Sequence, residues 1–204
     1  MMKKTSFQKG FTIIELVVSV AIFALMTALL LAKYGTFNQG ILLTNLAYDV
    51  ALTIRNAQSY GLNVKSVPAG GLNYSNQFDY AYGVHFDKSS SGNPAANTQV
   101  IFFADLDGDR EYDTGEKISA YTIKRGNYVH SFCGGPGSCS VPTVFGSVDI
   151  TFKRPNPDAT IIAKDTTGGL INASITYLII YFSPPTGAQK KIRINSAGQI
   201  NITD

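Results

Sequence analysis

An uninterrupted apolar run near the N-terminus limits what this chain can fold into more than any other feature. Residues 11–32 read FTIIELVVSVAIFALMTALLLA, in which 18 of 22 residues are apolar and the only charge is Glu15. As a helix rising about 1.5 Å per residue, the run extends about 33 Å, which is enough to cross a hydrocarbon core about 30 Å thick. We therefore predict one membrane-spanning helix over residues 11–32.

Three lysines, Lys3, Lys4 and Lys9, precede this run. By the positive-inside rule they hold the N-terminus in the cytoplasm, so the rest of the chain is exported and anchored by a single pass. A cleaved secretory signal peptide is the alternative, but its apolar core is only about 7–15 residues long. The run here is longer, carries a carboxylate and continues into further helix-forming sequence, which favours a retained anchor.

Glu15 needs a partner, because a carboxylate inside a spanning helix costs about 2.5–3.5 kcal/mol on insertion scales. Residues 16–32 contain no Lys, Arg or His that could neutralise it. The counter-charge must therefore come from elsewhere. A new α-amino group, created by cleavage just before Phe11 and supplied by a neighbouring copy, would fit.

Residues 9–25, KGFTIIELVVSVAIFAL, resemble the prepilin signal of type IV pilins and type II secretion pseudopilins. A basic leader ends at Gly10, Phe11 becomes the first mature residue, and Glu15 is the fifth. The resemblance implies cleavage between Gly10 and Phe11 by prepilin peptidase, N-methylation of Phe11, and packing of the helix into a filament core. Glu15 would pair with the Phe11 amine of an adjacent subunit. The implied partners are other pilin subunits, prepilin peptidase, an assembly ATPase and a platform protein.

The charge of the whole chain depends on the leader. Without the three lysines of residues 1–10, 14 basic residues face 14 acidic ones. A neutral mature chain argues against a nucleic-acid partner. The sequence contains the following basic clusters, which we interpret as isolated solubility features: Lys124-Arg125, Lys153-Arg154, and Lys190-Lys191 with Arg193.

Beyond the span, residues 33–61 continue as a predicted amphipathic helix. Small and apolar residues recur on one face with a 3.6-residue period, namely Leu43, Leu46, Ala47, Val50, Ile54, Ala57 and Gly61. Such a stripe packs on the protein's own sheet, while Asn45, Asp49, Asn56 and Ser59 face away from it. We expect Gly61 to end the helix in a left-handed cap, with Pro68 beyond it.

Residues 62–204 have the pattern of a β-rich extracytoplasmic head. Apolar and polar residues alternate over 80–87 and 147–153, whereas residues 99–104 and 171–182 are apolar on both faces. Ile192 and Ile194, then Ile200 and Ile202, flank a predicted hairpin turn at 195–198. With loops at 68–77 and 88–97, we predict an α+β fold: a long N-terminal helix packed on an antiparallel sheet of six to eight strands. This layout agrees with the pilin resemblance.

The stretch DLDGDREYDTGE, residues 105–116, is a candidate calcium loop. Carboxylates occupy positions 1, 3, 5, 7, 9 and 12 of the twelve, namely Asp105, Asp107, Asp109, Glu111, Asp113 and Glu116. Their spacing resembles the loops of EF-hands and dockerin repeats, and calcium requires six to eight oxygen ligands. The sequence departs from that pattern at Arg110, where the loop uses glycine. A solvated hairpin turn without an ion is the alternative.

Cys133 and Cys139 enclose five residues, GGPGS. Export to an oxidising compartment favours a disulfide between them, and free thiols are the alternative. His85 and His130 have no nearby nucleophile pattern, so we expect both to be structural. Because no acid–base or nucleophile constellation is visible, we do not expect an enzyme.

These features predict a structural subunit, a pilin or minor pilin, that is inserted in the cytoplasmic membrane and then assembled into an extracellular type IV pilus. Calcium is the only candidate cofactor. A pseudopilin of a type II secretion system shares every feature named above. A membrane-anchored adhesin or DNA-uptake module is an alternative from another class.

Overall fold

The computed structural model describes residues 10–63, 79–88, 96–136, 145–171, 174–184 and 189–203. It divides into two units, Met1–Gln39 and Gly40–Asp204. The leader up to residue 9, Cys139, the predicted loop at 68–77 and most of the predicted loop at 88–97 lie outside the described residues.

One long helix, α1 (Ile13–Leu62), starts in the first unit and ends in the second. Thr12 caps its start, because its Oγ1 accepts a hydrogen bond of 3.3 Å from the backbone N–H of Glu15. A threonine followed three residues later by a glutamate is the sequence signature of a capping box. Glu15, the only charged residue of the predicted span, therefore lies in the first turn of α1.

The second unit contains, within the described residues, nine strands in two antiparallel sheets. A five-stranded sheet has the order β3-β2-β1-β5-β6, and a four-stranded sheet has the order β4-β7-β8-β9. The strands are β1 (Ala81–Asp87), β2 (Gln99–Asp105), β3 (Lys117–Thr122), β4 (Tyr128–Gly135), β5 (Phe145–Phe152), β6 (Ala159–Asp165), β7 (Tyr177–Ser183), β8 (Lys190–Asn195) and β9 (Ile200–Thr203), with a short 3₁₀ helix at Ala96–Thr98. The predicted α+β fold is confirmed, with two sheets where one was expected and, within the described residues, nine strands where six to eight were predicted.

The core of this unit is built around the predicted stripe of α1. All seven stripe positions are buried, from Leu43 to Gly61, while the four polar positions opposite them are exposed as expected. The apolar stripe residues join one hydrophobic cluster with the inward side chains of both sheets, including Phe86, Phe132 and Phe182. Since each fully buried Leu, Ile or Phe contributes about 1.5–3 kcal/mol, helix and sheets stabilise each other.

The last turns of α1 make specific contacts with both sheets. The ring of Tyr60 lies 5.6 Å from that of Tyr82 in β1 and 5.3 Å from that of Phe102 in β2. Gln58 Nε2 donates hydrogen bonds to the carbonyls of Pro157, at 3.3 Å, and Gly198, at 3.2 Å. Pro157 follows β5 and Gly198 follows β8, so one amide connects the helix to a loop of each sheet.

Gly61 does not cap the helix as predicted. It is helical and lacks a positive φ, and α1 continues to Leu62. A Cβ at Gly61 would collide with the carbonyl oxygen of Phe152. The backbone N–H of Arg154 also donates to the Gly61 carbonyl at 3.0 Å. Glycine is needed here because the helix and the end of β5 approach backbone to backbone.

Two strand predictions at the C-terminal end have different outcomes. The predicted final hairpin is confirmed as β8 and β9, with Gly198 at φ 77° in the turn. The predicted strand over residues 171–182 is too long, because β7 begins at Tyr177. Leu170 instead bridges back to Lys164 of β6, and the N–H of Ile171 donates to the Ala163 carbonyl at 2.9 Å.

Replacing Gly61 by alanine should destabilise the folded chain by about 1–3 kcal/mol, because the new methyl group meets backbone that cannot rotate away. The control is Gly40→Ala, which lies in the same helix and has nothing within 4 Å of the place its methyl group would occupy. That control should leave stability unchanged or raise it by about 0.5–1 kcal/mol. Urea unfolding of both variants in a non-ionic detergent measures the difference; equal stability of the two variants would contradict this role for Gly61.

Candidate functional site

The acidic loop, residues 105–116, connects β2 to β3 and brings its first three carboxylates together. Ligand oxygens of Asp105, Asp107 and Asp109 all lie within 4.8 Å of one another. The side chain of Asp105 is only 1% exposed, whereas Asp107 and Asp109 are exposed. The alternating acids of the sequence therefore form a cluster of three carboxylates, of which Asp105 is buried.

Arg110 takes the backbone conformation that the calcium-loop pattern assigns to glycine. Its φ is 70°, in the left-handed region that costs an L-residue about 1–2 kcal/mol. Arg110 Nε lies 3.7 Å from Asp105 Oδ2, and this ion pair offsets part of the cost. Gly108, two residues earlier, has φ 90°. The departure at Arg110 consequently does not prevent the turn.

Glu116, the last acid of the loop, has a different environment from the cluster. Its Oε1 accepts the N–H of Leu106 at 2.6 Å, and its Oε2 accepts the N–H of Asp113 at 3.0 Å. In an EF-hand loop the twelfth residue is a bidentate ligand instead. Glu116 therefore links two backbone positions of the loop through its side chain.

Burial shapes the electrostatics of this loop. It raises the pKa of Asp105 above its usual range, against the opposing effects of the Gly108 N–H and the Arg110 guanidinium. Burial also raises the pKa of Glu116, while its hydrogen bonds from Leu106 and Asp113 lower it and the charges of Asp105 and Asp107 raise it further. Both carboxyls are therefore more easily protonated in the folded chain than in the unfolded one.

The acidic loop rests on the face of the five-stranded sheet that points away from α1. The ring of Tyr112 lies 4.9 Å from that of His85 and 5.5 Å from that of Phe103. Glu111 Oε2 forms a 2.6 Å ion pair with Lys164 Nζ of β6. Two ring contacts of Tyr112 and one ion pair of Glu111 thus attach the loop to three strands, β1, β2 and β6.

His85 is mostly buried, although it alternates along β1 with the apolar residues that face the core. Its side chain is 14% exposed, and its Nδ1 lies 2.7 Å from Asp149 Oδ1, which is buried. The two residues are direct partners in the register of β1 and β5. Tyr112 covers the histidine, which explains its burial. The sequence offered no signal for Asp149, because the pair depends on which strands are neighbours.

The remaining candidate residues lie in different places. Cys133 is buried in β4, but Cys139 lies outside the described residues, so the predicted disulfide stays a prediction. His130 is exposed in β4. Lys153 and Arg154 both pair with Asp79, at 3.3 and 3.6 Å.

The predicted processing and assembly residues lie at the start of α1. Gly10 and Phe11 precede the helix, and Glu15 stands in its first turn. Glu15 shares a groove on the helix surface with apolar neighbours and with Ser19, whose hydroxyl donates to the Glu15 carbonyl. Lys33 is the first cation that follows along the chain, about 27 Å further along the helix. Only the helix N-terminus, with its partial positive charge, lies near this carboxylate within residues 10–39.

The surface of this first unit is predominantly apolar over residues 11–32, where Glu15 is the only charged residue. Among the described residues α1 is the one helix that is long and apolar enough to span a bilayer, and none of its most apolar window is buried. The exposed large side chains from Phe11 to Leu31 are Phe11, Ile13, Ile14, Leu16, Val17, Val18, Val20, Ile22, Phe23, Leu25, Met26, Leu29, Leu30 and Leu31. A surface of this kind requires lipid or another protein to cover it.

Comparison with known proteins identifies the N-terminal segment. Residues 5–31 match the family model described as the prokaryotic N-terminal methylation motif. This is the prepilin signal of type IV pilins and pseudopilins, and it includes Gly10, Phe11 and Glu15. No curated protein and no solved structure matches the chain. The match covers 27 of the 204 residues and does not extend to the head.

The raised pKa values of Asp105 and Glu116 predict how stability depends on pH. Both groups bind a proton more tightly when folded, so their contribution to stability is complete below the unfolded pKa and is lost as pH rises through the folded pKa. In the presence of EDTA, the melting temperature should therefore rise when the pH is lowered from neutral to about 4, the range in which these carboxyls take up protons.

The matched variant is Asp105→Asn, which keeps an oxygen that can accept the Gly108 N–H at 2.7 Å. It should melt higher than the parent at neutral pH and depend less on pH. A melting temperature of the parent that falls on acidification, together with an unchanged slope in the variant, would contradict the assignment. Thermal melting of the full chain in a non-ionic detergent supplies both measurements.

Proposed function

We propose that this chain is a structural subunit, a pilin or minor pilin, of a type IV pilus. The observation that carries the proposal is the single carboxylate of Glu15 in the first turn of α1, within an exposed apolar segment that has no cation between Glu15 and Lys33. The matched methylation motif supports membership of the pilin and pseudopilin group, whose members are structural subunits.

In the proposed pathway, the precursor spans the cytoplasmic membrane once, with residues 1–10 on the cytoplasmic side. Prepilin peptidase hydrolyses the peptide bond between Gly10 and Phe11, and the new Phe11 amine is methylated. An assembly ATPase and platform protein then move the subunit from the bilayer into the filament. The apolar surface of residues 11–32 exchanges lipid contacts for contacts with the same segment of other copies.

Glu15 gives this assembly its register. Two opposite charges at about 4 Å attract each other several times more strongly in a medium of low dielectric than in water. A subunit packed with Glu15 away from a Phe11 amine leaves a buried, unpaired charge, which costs about 3–5 kcal/mol. The proposed pairing therefore penalises every packing arrangement that shifts one helix along another.

A pseudopilin of a type II secretion system is the second candidate, because the same motif and helix support it. The length of the filament and the neighbouring genes distinguish the two. A membrane-anchored adhesin or DNA-uptake module is the alternative from another class, and it does not require Glu15 to have a partner on another copy.

Replacing Glu15 by alanine or glutamine should leave a processed, membrane-bound subunit that enters filaments at least about tenfold less often, because the Phe11 amine of its neighbour loses its counter-charge. Filaments sheared from cells that express the variant are quantified against membrane-bound subunit. Intact mass should show that processed chains start at N-methylated Phe11.

Ser19→Ala is the matched control, because Ser19 lines the same groove and its hydroxyl donates to the Glu15 carbonyl without bearing a charge. It should assemble normally. Normal incorporation of the Glu15 variants would reject the pairing mechanism. Mature chains that begin at Met1 would reject the filament assignment itself.

We further propose that the acidic loop binds a calcium ion weakly. The convergence of Asp105, Asp107 and Asp109 within 4.8 Å supports it, since three carboxylates that close repel each other and Arg110, which contacts only Asp105 of the three, offsets part of that repulsion. Arg110 in the glycine-like conformation also supports the loop shape. Glu116 is committed to backbone N–H groups, so the proposed site has fewer protein ligands than an EF-hand. We accordingly expect an affinity in the range of about 10⁻⁴–10⁻³ M, as in extracellular modules.

Calcium at millimolar concentration should raise the melting temperature of the EDTA-treated chain and release or absorb heat in calorimetry. Asp107→Asn and Asp109→Asn should abolish both effects. Asp113→Asn should not, because Asp113 lies in the same loop but outside the three-carboxylate cluster. A parent chain that gives no heat and no shift in melting temperature would reject the calcium site.

A further inference from the structure

A small polar cleft lies between α1 and the turn that connects β3 to β4. On the helix side it is lined by Leu42, Leu46 and Asp49, and on the turn side by residues that include Lys124 and Arg125. All of these residues belong to the second unit. The cleft, which we call the turn cleft, has a volume of about 250 Å³. Because sites for drug-sized ligands measure about 300–1,000 Å³, the turn cleft suits a smaller molecule.

The two sides of the turn cleft carry opposite charges. Asp49 supplies the negative charge, and the Tyr121 hydroxyl donates a 2.9 Å hydrogen bond to its Oδ2. Burial and this hydrogen bond raise the pKa of Tyr121 to about 12, so the hydroxyl keeps its proton and holds the carboxylate in place. Lys124 and Arg125 supply the positive charge. Within the described residues neither of them forms an ion pair, with Asp49 or with another carboxylate.

Arg125 has a backbone conformation that favours glycine. Its φ is 63° and that of Gly126 is 76°, and the Asn127 N–H donates to the Lys124 carbonyl at 3.3 Å. Turns with two successive positive φ angles favour Asn, Asp and Gly, because other L-residues are strained there. At Arg110 an ion pair offsets such strain, whereas Arg125 has none in the ranges that the structure describes. A strained residue that holds an unpaired cation at a cleft is typical of a binding site.

Asn127 brings a buried amide to the same place. The residue is 5% exposed and lines the turn cleft. Its backbone N–H is used in the turn, but its side-chain amide has no hydrogen-bond partner in the part of the chain that the structure describes. Since an unpaired amide in a buried position is unfavourable, a ligand that accepts a hydrogen bond from it would stabilise the site.

We propose that the turn cleft binds a small phosphate ester that also carries an ammonium group, as phosphoethanolamine does. The guanidinium of Arg125 and the ammonium of Lys124 suit a phosphate, whose oxygens accept several charge-assisted hydrogen bonds at once. The Asn127 amide adds a neutral donor. The carboxylate of Asp49 pairs with the ammonium group of the ligand, and the leucines on the helix side contact its methylene groups.

The presence of both charges distinguishes this ligand from a simple anion and from a simple amine. Glycerol phosphate would use Lys124 and Arg125 but would place a second negative charge near Asp49. Ethanolamine would use Asp49 but would meet two cations. The phosphoethanolamine group occurs as a free solute and as the headgroup of a membrane lipid, and both sources present the same chemistry. The proposal goes beyond filament assembly and does not depend on it, because the turn cleft lies within one subunit.

The test is isothermal titration calorimetry of the full chain in a non-ionic detergent. Phosphoethanolamine should bind about fivefold more tightly than glycerol phosphate, which is the effect of one additional exposed ion pair, and ethanolamine should give no heat. Asp49→Asn keeps an oxygen that accepts the Tyr121 hydroxyl, so it should remove the preference and leave the affinity for glycerol phosphate intact. Lys124→Gln with Arg125→Gln should abolish the binding of both phosphate esters.

Arg125→Gly separates the charge of this residue from its backbone conformation. Glycine takes a positive φ without strain, so the variant should melt at or above the temperature of the parent. It should nevertheless bind phosphoethanolamine at least about fivefold more weakly, because it lacks the guanidinium. Lys153→Gln with Arg154→Gln is the matched control, since it removes two cations that pair with Asp79 instead. The control should bind like the parent.

Lysophosphatidylethanolamine in the detergent micelles identifies the source of the ligand. If it displaces phosphoethanolamine and lysophosphatidylglycerol does not, the lipid headgroup occupies the turn cleft; if neither lipid competes, the free solute does. The proposal is overturned if the parent gives no heat with millimolar phosphoethanolamine, or if glycerol phosphate binds equally well. It is also overturned if Asp49→Asn keeps the preference, if Arg125→Gly binds like the parent, or if the control loses as much affinity as the Lys124 and Arg125 double variant.

Discussion

A carboxylate with no counter-charge inside its own apolar helix constrains everything that this chain can do. Glu15 lies in the first turn of α1, where the capping bond from its N–H to Thr12 fixes the start of the helix. The partial positive charge of a helix N-terminus contributes only about 0.3–1 kcal/mol in ordinary surface positions, which is less than the cost of placing a carboxylate in a bilayer. In the proposed filament, the Phe11 amine of a second molecule recovers the difference. The apolar surface and the single charge therefore favour the same outcome, association through this helix.

The second half of α1 is helical too, but its apolar face is buried within the chain itself. From Leu43 to Gly61 its buried stripe is covered by its own sheets, so the head has no need of neighbours for its core. The distinguishing feature of the head is the distribution of charge on its surface. Acidic residues collect in the loop that rests on the five-stranded sheet, and cations collect on the four-stranded sheet. The net charge of zero therefore results from an acidic region and a basic region that balance each other.

The sequence predicted best what depends on local periodicity. The stripe of α1 and the last hairpin both follow from residues close together in the chain. The division into two sheets does not, because alternation places a strand on a face but does not name its neighbour. The same limit applies to the site: the spacing of Asp105, Asp107 and Asp109 predicted their convergence, whereas the pairing of His85 with Asp149 needed the register of β1 and β5. Gly61 was misread because a helix-ending glycine and a glycine under close backbone approach look alike in sequence.

The amide of Gln58 has a mechanical consequence for a head held by one helix. Its two hydrogen bonds reach the loop after β5 and the hairpin turn after β8, and the N–H of Ala159, at the start of β6, donates to the Ser196 carbonyl of that turn at 2.8 Å. Tension applied through α1 would therefore reach a loop of each sheet through the same side chain.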